Sequence, residues 1–192
     1  MALTLRQRNR LAAVHHIIDT AMDLFDERGY GEVTVEQVAA AAGVSPRTFY
    51  RYFGSKEGLF TTDPYATIGV DRLEGHIDLD DLPGTVRRIV AAVADPAQRA
   101  PWRTGEPWRG MQYVLEEPPV RAAVYAALDE SSQRFADLLR AQGMSATRAG
   151  VTARTYWFGV YFGSLEQWHR EGRTRTLLDH IDEALAALHD LP

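Results

Sequence analysis

Residues 33–53 read VTVEQVAAAAGVSPRTFYRYF. Thr34 is an N-cap residue, and Gln37 three positions on completes a capping box for a helix that starts there. Val33 and Val38 occupy the two positions of a hydrophobic staple around the same turn. Val35, Val38, Ala39 and Ala42 give that helix an apolar face, and Gly43 ends it. Ser45 then caps a second helix with Pro46 at its first position, where a missing N–H costs nothing. This second helix, PRTFYRYF, has only about two turns. Phe49 and Phe53, four residues apart, share a face. Arg47, Thr48, Tyr50 and Arg51 are left on the other sides.

Two short helices joined by a tight glycine-containing turn make a helix-turn-helix. Its second helix can enter a DNA major groove ~12 Å wide. An arginine there can meet guanine O6 and N7 with two hydrogen bonds, while hydroxyls and helix-start amides suit phosphates. A plain helical hairpin inside an all-α core would carry the same turn, so the turn by itself leaves both readings open.

Working outward, Val14, Ile17, Ile18, Ala21, Leu24 and Phe25 fall on one face of a helix from about Thr4 to Arg28, closed by Gly29. Ser55 caps a further helix beginning KEGLF. Order weakens at Thr61–Pro64, and Pro64 and Gly69 leave the path undefined as far as Leu79; this is the expected domain junction. Helices are expected again over 83–94, 106–117, 118–142, 146–171 and 174–189, punctuated by Pro96, Pro101, Pro107, Pro118 and Gly143. No strand series, repeat or low-complexity segment occurs. The expected fold is all-α, with a DNA-binding domain over 1–62 and a helical effector-binding and dimerisation domain over 63–192.

The string AMDLFDERGYGE followed by VTVEQVAAAAGVSPRTFYRYFGSKEGLF closely resembles the N-terminal domain of the TetR family of regulators. The resemblance covers about residues 10–60 and rests on the ERGY step, the AGVS turn, the T-F-Y-x-Y-F helix and the S-K-E start of the next helix. It implies a homodimeric repressor with an all-helical ligand-binding domain behind the head. It makes Thr34 a phosphate contact and turns Ser45, Arg47 and Thr48 toward bases or nearby phosphates. It lays Tyr50 and Tyr52 along the DNA backbone and sends Lys56 to a phosphate. Tyr52 stands where the family often has histidine, so packing of its ring against the first helix is an equal alternative. Arg47 and Arg51 sit at variable family positions, with Arg47 the expected reader of sequence.

Beyond residue 64 the resemblance is general. In the family this region dimerises and binds a small effector, and two helices near the C-terminus form a four-helix interface. Here that implies the helices over 146–171 and 174–189, with Leu165, Trp168, Leu177, Leu178, Ile181 and Leu185 as interface candidates. An interface half and a monomer core have the same leucine spacing. Aromatic and methionine residues from Trp102 to Trp168 could line an apolar pocket with a few polar handles. The candidates are Trp108, Met111, Leu115, Tyr125, Leu128, Trp157 and Tyr161, each of which could equally be plain core. Arg121 or Arg154 could meet an anionic effector, against the alternative of a solvated arginine. The C-terminal half is similar in general look to relatives that sense acyl-CoA-like ligands.

Charge sets a limit. The 192-residue chain carries a net −5. Residues 1–62 hold 7 basic and 7 acidic residues, and from Thr34 to Lys56 three bases face one acid, Glu36. Local cations decide DNA affinity more than total charge, so so thin a basic patch points to a dimer on a specific site. The absence of cysteine excludes disulfides and thiolate metal sites. No apolar run reaches the roughly 18 residues of a membrane span, and the N-terminal stretch lacks a secretory core. A cytoplasmic protein is expected, with operator DNA, a small effector and a second copy of itself as partners, and without metal or cofactor. His15 and His16 are adjacent and so cannot share a helix face. His169, His180 and His189 lack ligand spacing, and no catalytic or phosphate-loop motif occurs. An enzyme is therefore not expected. The alternative kept open is a helical ligand-binding or scaffold protein that no longer binds DNA.

Overall fold

A computed structural model of the chain describes residues 3–63, 78–94 and 108–189. Those residues are helical, with no strand among them. The chain divides into two compact units. The first joins Met1–Gly75 to Ala97–Ala123, and the second joins His76–Pro96 to Val124–Pro192. The described residues 108–123 thus group with residues 3–63. The expected junction residues Pro64 and Gly69, and Trp102, lie outside the described residues.

In the first unit α1 spans Leu5–Arg28. Thr4 caps it reciprocally with Gln7, and the Gly29 N–H closes it on the Phe25 carbonyl at 2.8 Å. Helix α2, Val35–Ala41, starts on the expected Thr34–Gln37 box: the Gln37 N–H donates to the Thr34 hydroxyl at 3.3 Å, and the Thr34 N–H to the Gln37 side chain at 2.9 Å. Gly43, at φ 67°, makes the turn that a side chain would strain. Helix α3, Pro46–Phe53, begins on Ser45, whose hydroxyl accepts the Thr48 N–H at 3.1 Å. Helix α4 is the single turn Gly58–Thr61, with the Gly58 N–H on the Ser55 hydroxyl at 3.2 Å. A Cβ at Gly58 would stand 1.8 Å from the Phe53 carbonyl oxygen, so the end of α3 and the start of α4 meet only through glycine.

The core of this unit is the set the periodicity selects: Leu11, Val14, Ile17, Ala21 and Phe25 of α1, Val38 and Ala39 of α2, Phe49 and Phe53 of α3, and the staple residue Val33, all buried. Helix α6, Met111–Glu116, adds Met111, Tyr113 and Val114. The sequence placed this helix from residue 106. Trp108 has φ 56°, a left-handed value that stops a right-handed helix from running through it. Residues 95–107, which include the expected start at 106, lie outside the described residues. Tyr113 packs edge-on against Phe25, with ring centroids 5.5 Å apart.

The α1–α6 contact also has a polar centre. Asp26 accepts from Arg109, from Gln112 at 2.9 Å and from the Tyr113 hydroxyl, and Arg109 donates further to Asp23 at 2.7 Å. Burial works to raise the Asp26 pKa, but the bonds from Tyr113, Arg109 and Gln112 and the Arg109 charge together bring it below the usual carboxylate value. The Tyr113 phenol is pushed up to about 12 by burial and by its bond to Asp26.

Helix α7, Pro118–Ala141, begins in the first unit and ends in the second. The second unit also contains α5 (Leu82–Ala94), α8 (Ala146–Arg154), α9 (Gly163–Arg170) and α10 (Leu177–His189). The stretch expected as one α-helix over 146–171 is interrupted. Thr155–Phe162, TYWFGVYF, winds as a π-helix between α8 and α9. Helix α10 starts later than the expected 174, because Thr176 caps it: its hydroxyl accepts the Asp179 N–H at 3.1 Å while the Asp179 carboxylate accepts the Thr176 N–H at 2.9 Å. Phe135, Leu139, Ala149 and Ala153 form a buried cluster, flanked by Leu82, Tyr156 and Trp157. Val90, Leu165, Leu177, Ile181 and Leu185 are buried as well. No helix among the described residues is long and apolar enough to cross a membrane.

Candidate nucleic-acid interface

Helix α3 sorts its side chains by face. Phe49 and Phe53 point inward, buried, with their ring centroids 5.0 Å apart. Arg47, Tyr50 and Arg51 are exposed, with Tyr50 at 47%. Eight residues rising 1.5 Å each give a rod of about 12 Å, short enough to lie in a groove. The hydroxyls at its start bond to each other. Ser45 and Thr48 share one hydrogen bond at 3.0 Å, and the Ser45 oxygen also takes the Thr48 N–H. That pair uses one of its two hydroxyl protons and keeps the other for an acceptor beyond the protein. The Thr34 oxygen accepts from Gln37 while the side chain stays exposed, so its O–H can still donate.

Tyr52 is half-buried, and two guanidinium groups approach its ring: Arg51 at 5.0 Å from the centroid and Arg10 at 5.4 Å. The packing of Tyr52 against α1 thus comes from Arg10. Arg10 was absent from the sequence-derived set, although the run LRQRNR over 5–10 places Arg6, Arg8 and Arg10, all exposed, at the start of α1. Arg10 thus adds a cation beside Tyr52 to those of residues 34–56.

Lys56, expected at a phosphate, is tied within the protein. Its ammonium donates to the carbonyl oxygens of Tyr30 at 2.8 Å and Val33 at 2.9 Å, and lies 3.9 Å from the centroid of the Tyr30 ring. Two of its three donors are engaged inside the protein. Burial lowers its pKa against the opposing pull of the Glu57 and Glu117 charges.

The structure does not bring the effector candidates together in one unit. Trp108, Met111 and Leu115 belong to the first, where Met111 is core. Tyr125, Leu128, Trp157 and Tyr161 belong to the second, where Leu128 is buried. Around the π segment, Tyr125 meets Phe162 edge-on at 5.3 Å and Phe158 at 6.2 Å, and Trp157 meets Tyr161 at 5.8 Å. Arg121 and Arg154 are not arrayed for an anion: Arg121 closes on the Val114 and Leu115 carbonyls, and Arg154 pairs with Asp129 at 2.6 Å.

Of the interface candidates, Leu165, Leu177, Ile181 and Leu185 are 3%, 3%, 0% and 7% exposed within a single chain, so they are part of its own core. Leu178 and Trp168 are half-buried, and the Trp168 indole donates to the Arg175 carbonyl at 2.9 Å. The leucine spacing of α10 reflects its packing on α5, α9 and the π segment.

Comparison with known proteins agrees with this head. The family model described as bacterial regulatory proteins of the tetR family matches residues 17–61. A Mycobacterium tuberculosis protein named as a mycofactocin biosynthesis transcriptional regulator, MftR, is 28% identical over 194 residues, covering 96% of this chain and 91% of that protein. The HTH-type transcriptional regulator TcmR of Streptomyces glaucescens is 32% identical over 146 residues, 72% of this chain and 63% of that protein. Among solved structures, the TetR-family repressor FadR of Thermus thermophilus, crystallised with lauroyl-CoA, aligns with a TM-score of 0.52 and 26% identity, over 91% of this chain and 92% of that one. The helix-turn-helix built from α2 and α3 lies within residues 17–61, which match the tetR family model, and nearly the whole chain is similar to TetR-family DNA-binding transcriptional regulators.

Proposed function

We propose that the chain works as a homodimeric repressor that reads an operator with α3 and releases it when a small, partly apolar effector binds. The observation that carries this reading is the facing of α3: two buried phenylalanines fix it while Arg47, Tyr50 and Arg51 stand exposed. Arg47 reads a base, with guanine the match for its two parallel donors. Thr34, Ser45, Thr48, Tyr50, Arg51 and Tyr52 hold phosphates, and Arg10 joins them through Tyr52. Phosphate contacts of this kind position the protein without specifying sequence. One head offers few cations, so two heads on half-sites one helical turn apart, ~34 Å, form the working unit.

The second copy docks on the outward faces of α9 and α10, where Trp168 and Leu178 are half-exposed. The effector reaches the aromatic group at the π segment, where Tyr125 is 40% exposed beside Phe158 and Phe162. The lauroyl-CoA in the FadR neighbour supports an acyl chain as the apolar part. An effector that prefers the dimer with misplaced heads must weaken DNA binding by its differential affinity for that state. A regulator of this kind acts where the chromosome is, in the cytoplasm.

The test is a fluorescence titration of a duplex selected by the purified chain, with and without long-chain acyl-CoA. Release of the duplex as acyl-CoA rises supports the reading. Binding indifferent to it removes the acyl effector, and failure to select any duplex leaves a helical ligand-binding protein.

A further inference from the structure

Among 21 basic residues the chain has one lysine, Lys56; all the others are arginines. Its position asks for an ammonium. The carbonyls of Tyr30 and Val33 flank the short 3-10 turn Tyr30–Glu32 and converge on Nζ at 2.8 and 2.9 Å. The Tyr30 ring face lies 3.9 Å away and the Phe25 ring 5.9 Å. A compact tetrahedral donor satisfies two converging carbonyls and a ring face together, whereas the planar guanidinium fork is shaped for parallel acceptors. The neighbouring residue completes the tie, since the Glu57 carboxylate accepts the Tyr30 phenol at 2.7 Å. Residues 56 and 57, between α3 and α4, therefore hold the link between α1 and α2.

We propose that Lys56 is a positioning residue: its ammonium pins the Tyr30 and Val33 carbonyls, sets Thr34 at the start of α2, and makes no contact with DNA phosphate. Val33 immediately precedes Thr34, whose N–H and hydroxyl form the capping box of α2. A loosened Val33 carbonyl frees the peptide that carries this cap, and with it the angle at which α2 supports α3. The DNA half of the proposal rests on the reading of the head as an operator interface, while the carbonyl tie does not.

A single lysine makes the test direct. In the full-length, isotope-labelled chain the lysine 15Nζ spectrum holds one side-chain signal. We expect it to show through-hydrogen-bond couplings to the Tyr30 and Val33 carbonyl carbons and to keep its shift when a duplex selected by the wild-type chain is added. In Lys56→Met and Lys56→Arg the amide protons of Thr34 and Gln37 should exchange faster. Both variants should lose about tenfold or more in duplex affinity, as for hydrogen bonds to a charged group. The slope of log K against log salt should stay at the wild-type value.

Absence of the carbonyl couplings, full affinity in Lys56→Arg, or unchanged Thr34 and Gln37 exchange in Lys56→Met would overturn the proposal. So would a salt slope reduced by ~0.9, which marks a lost phosphate contact. Should the wild-type chain select no duplex, the operator reading falls, and the couplings and exchange rates still decide the tie.

Discussion

The guanidinium of Arg10 stands 5.4 Å from the centroid of the Tyr52 ring, which links the first turns of α1 to the helix that carries Arg47. Arg10 and Arg51 both bring positive charge to one phenol, so Tyr52 is the meeting point of cations from two helices. Arg10→Ala should weaken binding to all duplexes alike and lower the salt slope by ~0.9. Titrations at several salt concentrations check it. A loss confined to the selected sequence would instead make Arg10 a base reader.

Arg47→Ala should cost ~1–3 kcal/mol on the selected duplex and relax preference at one base position. Affinities for the selected duplex and its single-base variants, compared in wild type and mutant, measure it. An equal loss on every sequence would mark Arg47 as a phosphate clamp.

Phe49 is fully buried in the core of the head. Phe49→Ala should destabilise the head by about 3–5 kcal/mol. Gly58→Ala should cost about 3 kcal/mol through its collision with the Phe53 carbonyl, as overpacking does. Gly31→Ala meets nothing within 4 Å and should stay within about 0.5 kcal/mol of wild type. Urea unfolding of the three variants orders them. A Gly58→Ala protein as stable as Gly31→Ala would contradict the close approach of α3 and α4.

Asp26 couples α1 to α6 and its pKa is lowered in the folded chain. A carboxylate with a depressed folded pKa stabilises above its unfolded value of about 3.9 and loses that contribution as pH falls through the folded value. Asp26→Asn should therefore lower the melting temperature at neutral pH, and the gap to wild type should close as pH drops below about 4. Tyr113 gives the alkaline counterpart. Its folded pKa of about 12 stabilises below the unfolded value and is lost as pH rises through the folded one, so Tyr113→Phe should lose any deficit above that pH. Thermal melts across pH check both, and a gap for Asp26→Asn that widens in acid would contradict the latch.

The parts of the head that were legible in the sequence are those whose chemistry is local. Thr34 with Gln37, Gly43, and Ser45 with Pro46 each act within four residues, so the bounds of α3 and the inward turn of Phe49 and Phe53 could be read directly. Lys56 could not, because its carbonyl partners are 26 and 23 residues away and only the folded chain brings them near. Arg10 was hidden for the same reason, although the basic run at 6–10 was a usable signal. In the second unit, leucines at helical spacing mark an apolar face without saying what covers it. The chain itself covers Leu177, Ile181 and Leu185. The π winding of Thr155–Phe162 left no trace in periodicity, since a shift in hydrogen-bond register needs no change of composition.

On the proposed function, α3 reads sequence as one of a pair. Selection of random duplexes by the purified full-length chain, followed by footprinting of the enriched site, tests it most directly. The enriched site should be a palindrome with half-sites centred about one helical turn, ~34 Å, apart, with protection lost on Arg47→Ala. Enrichment of no sequence, or a footprint that ignores Arg47, would contradict it.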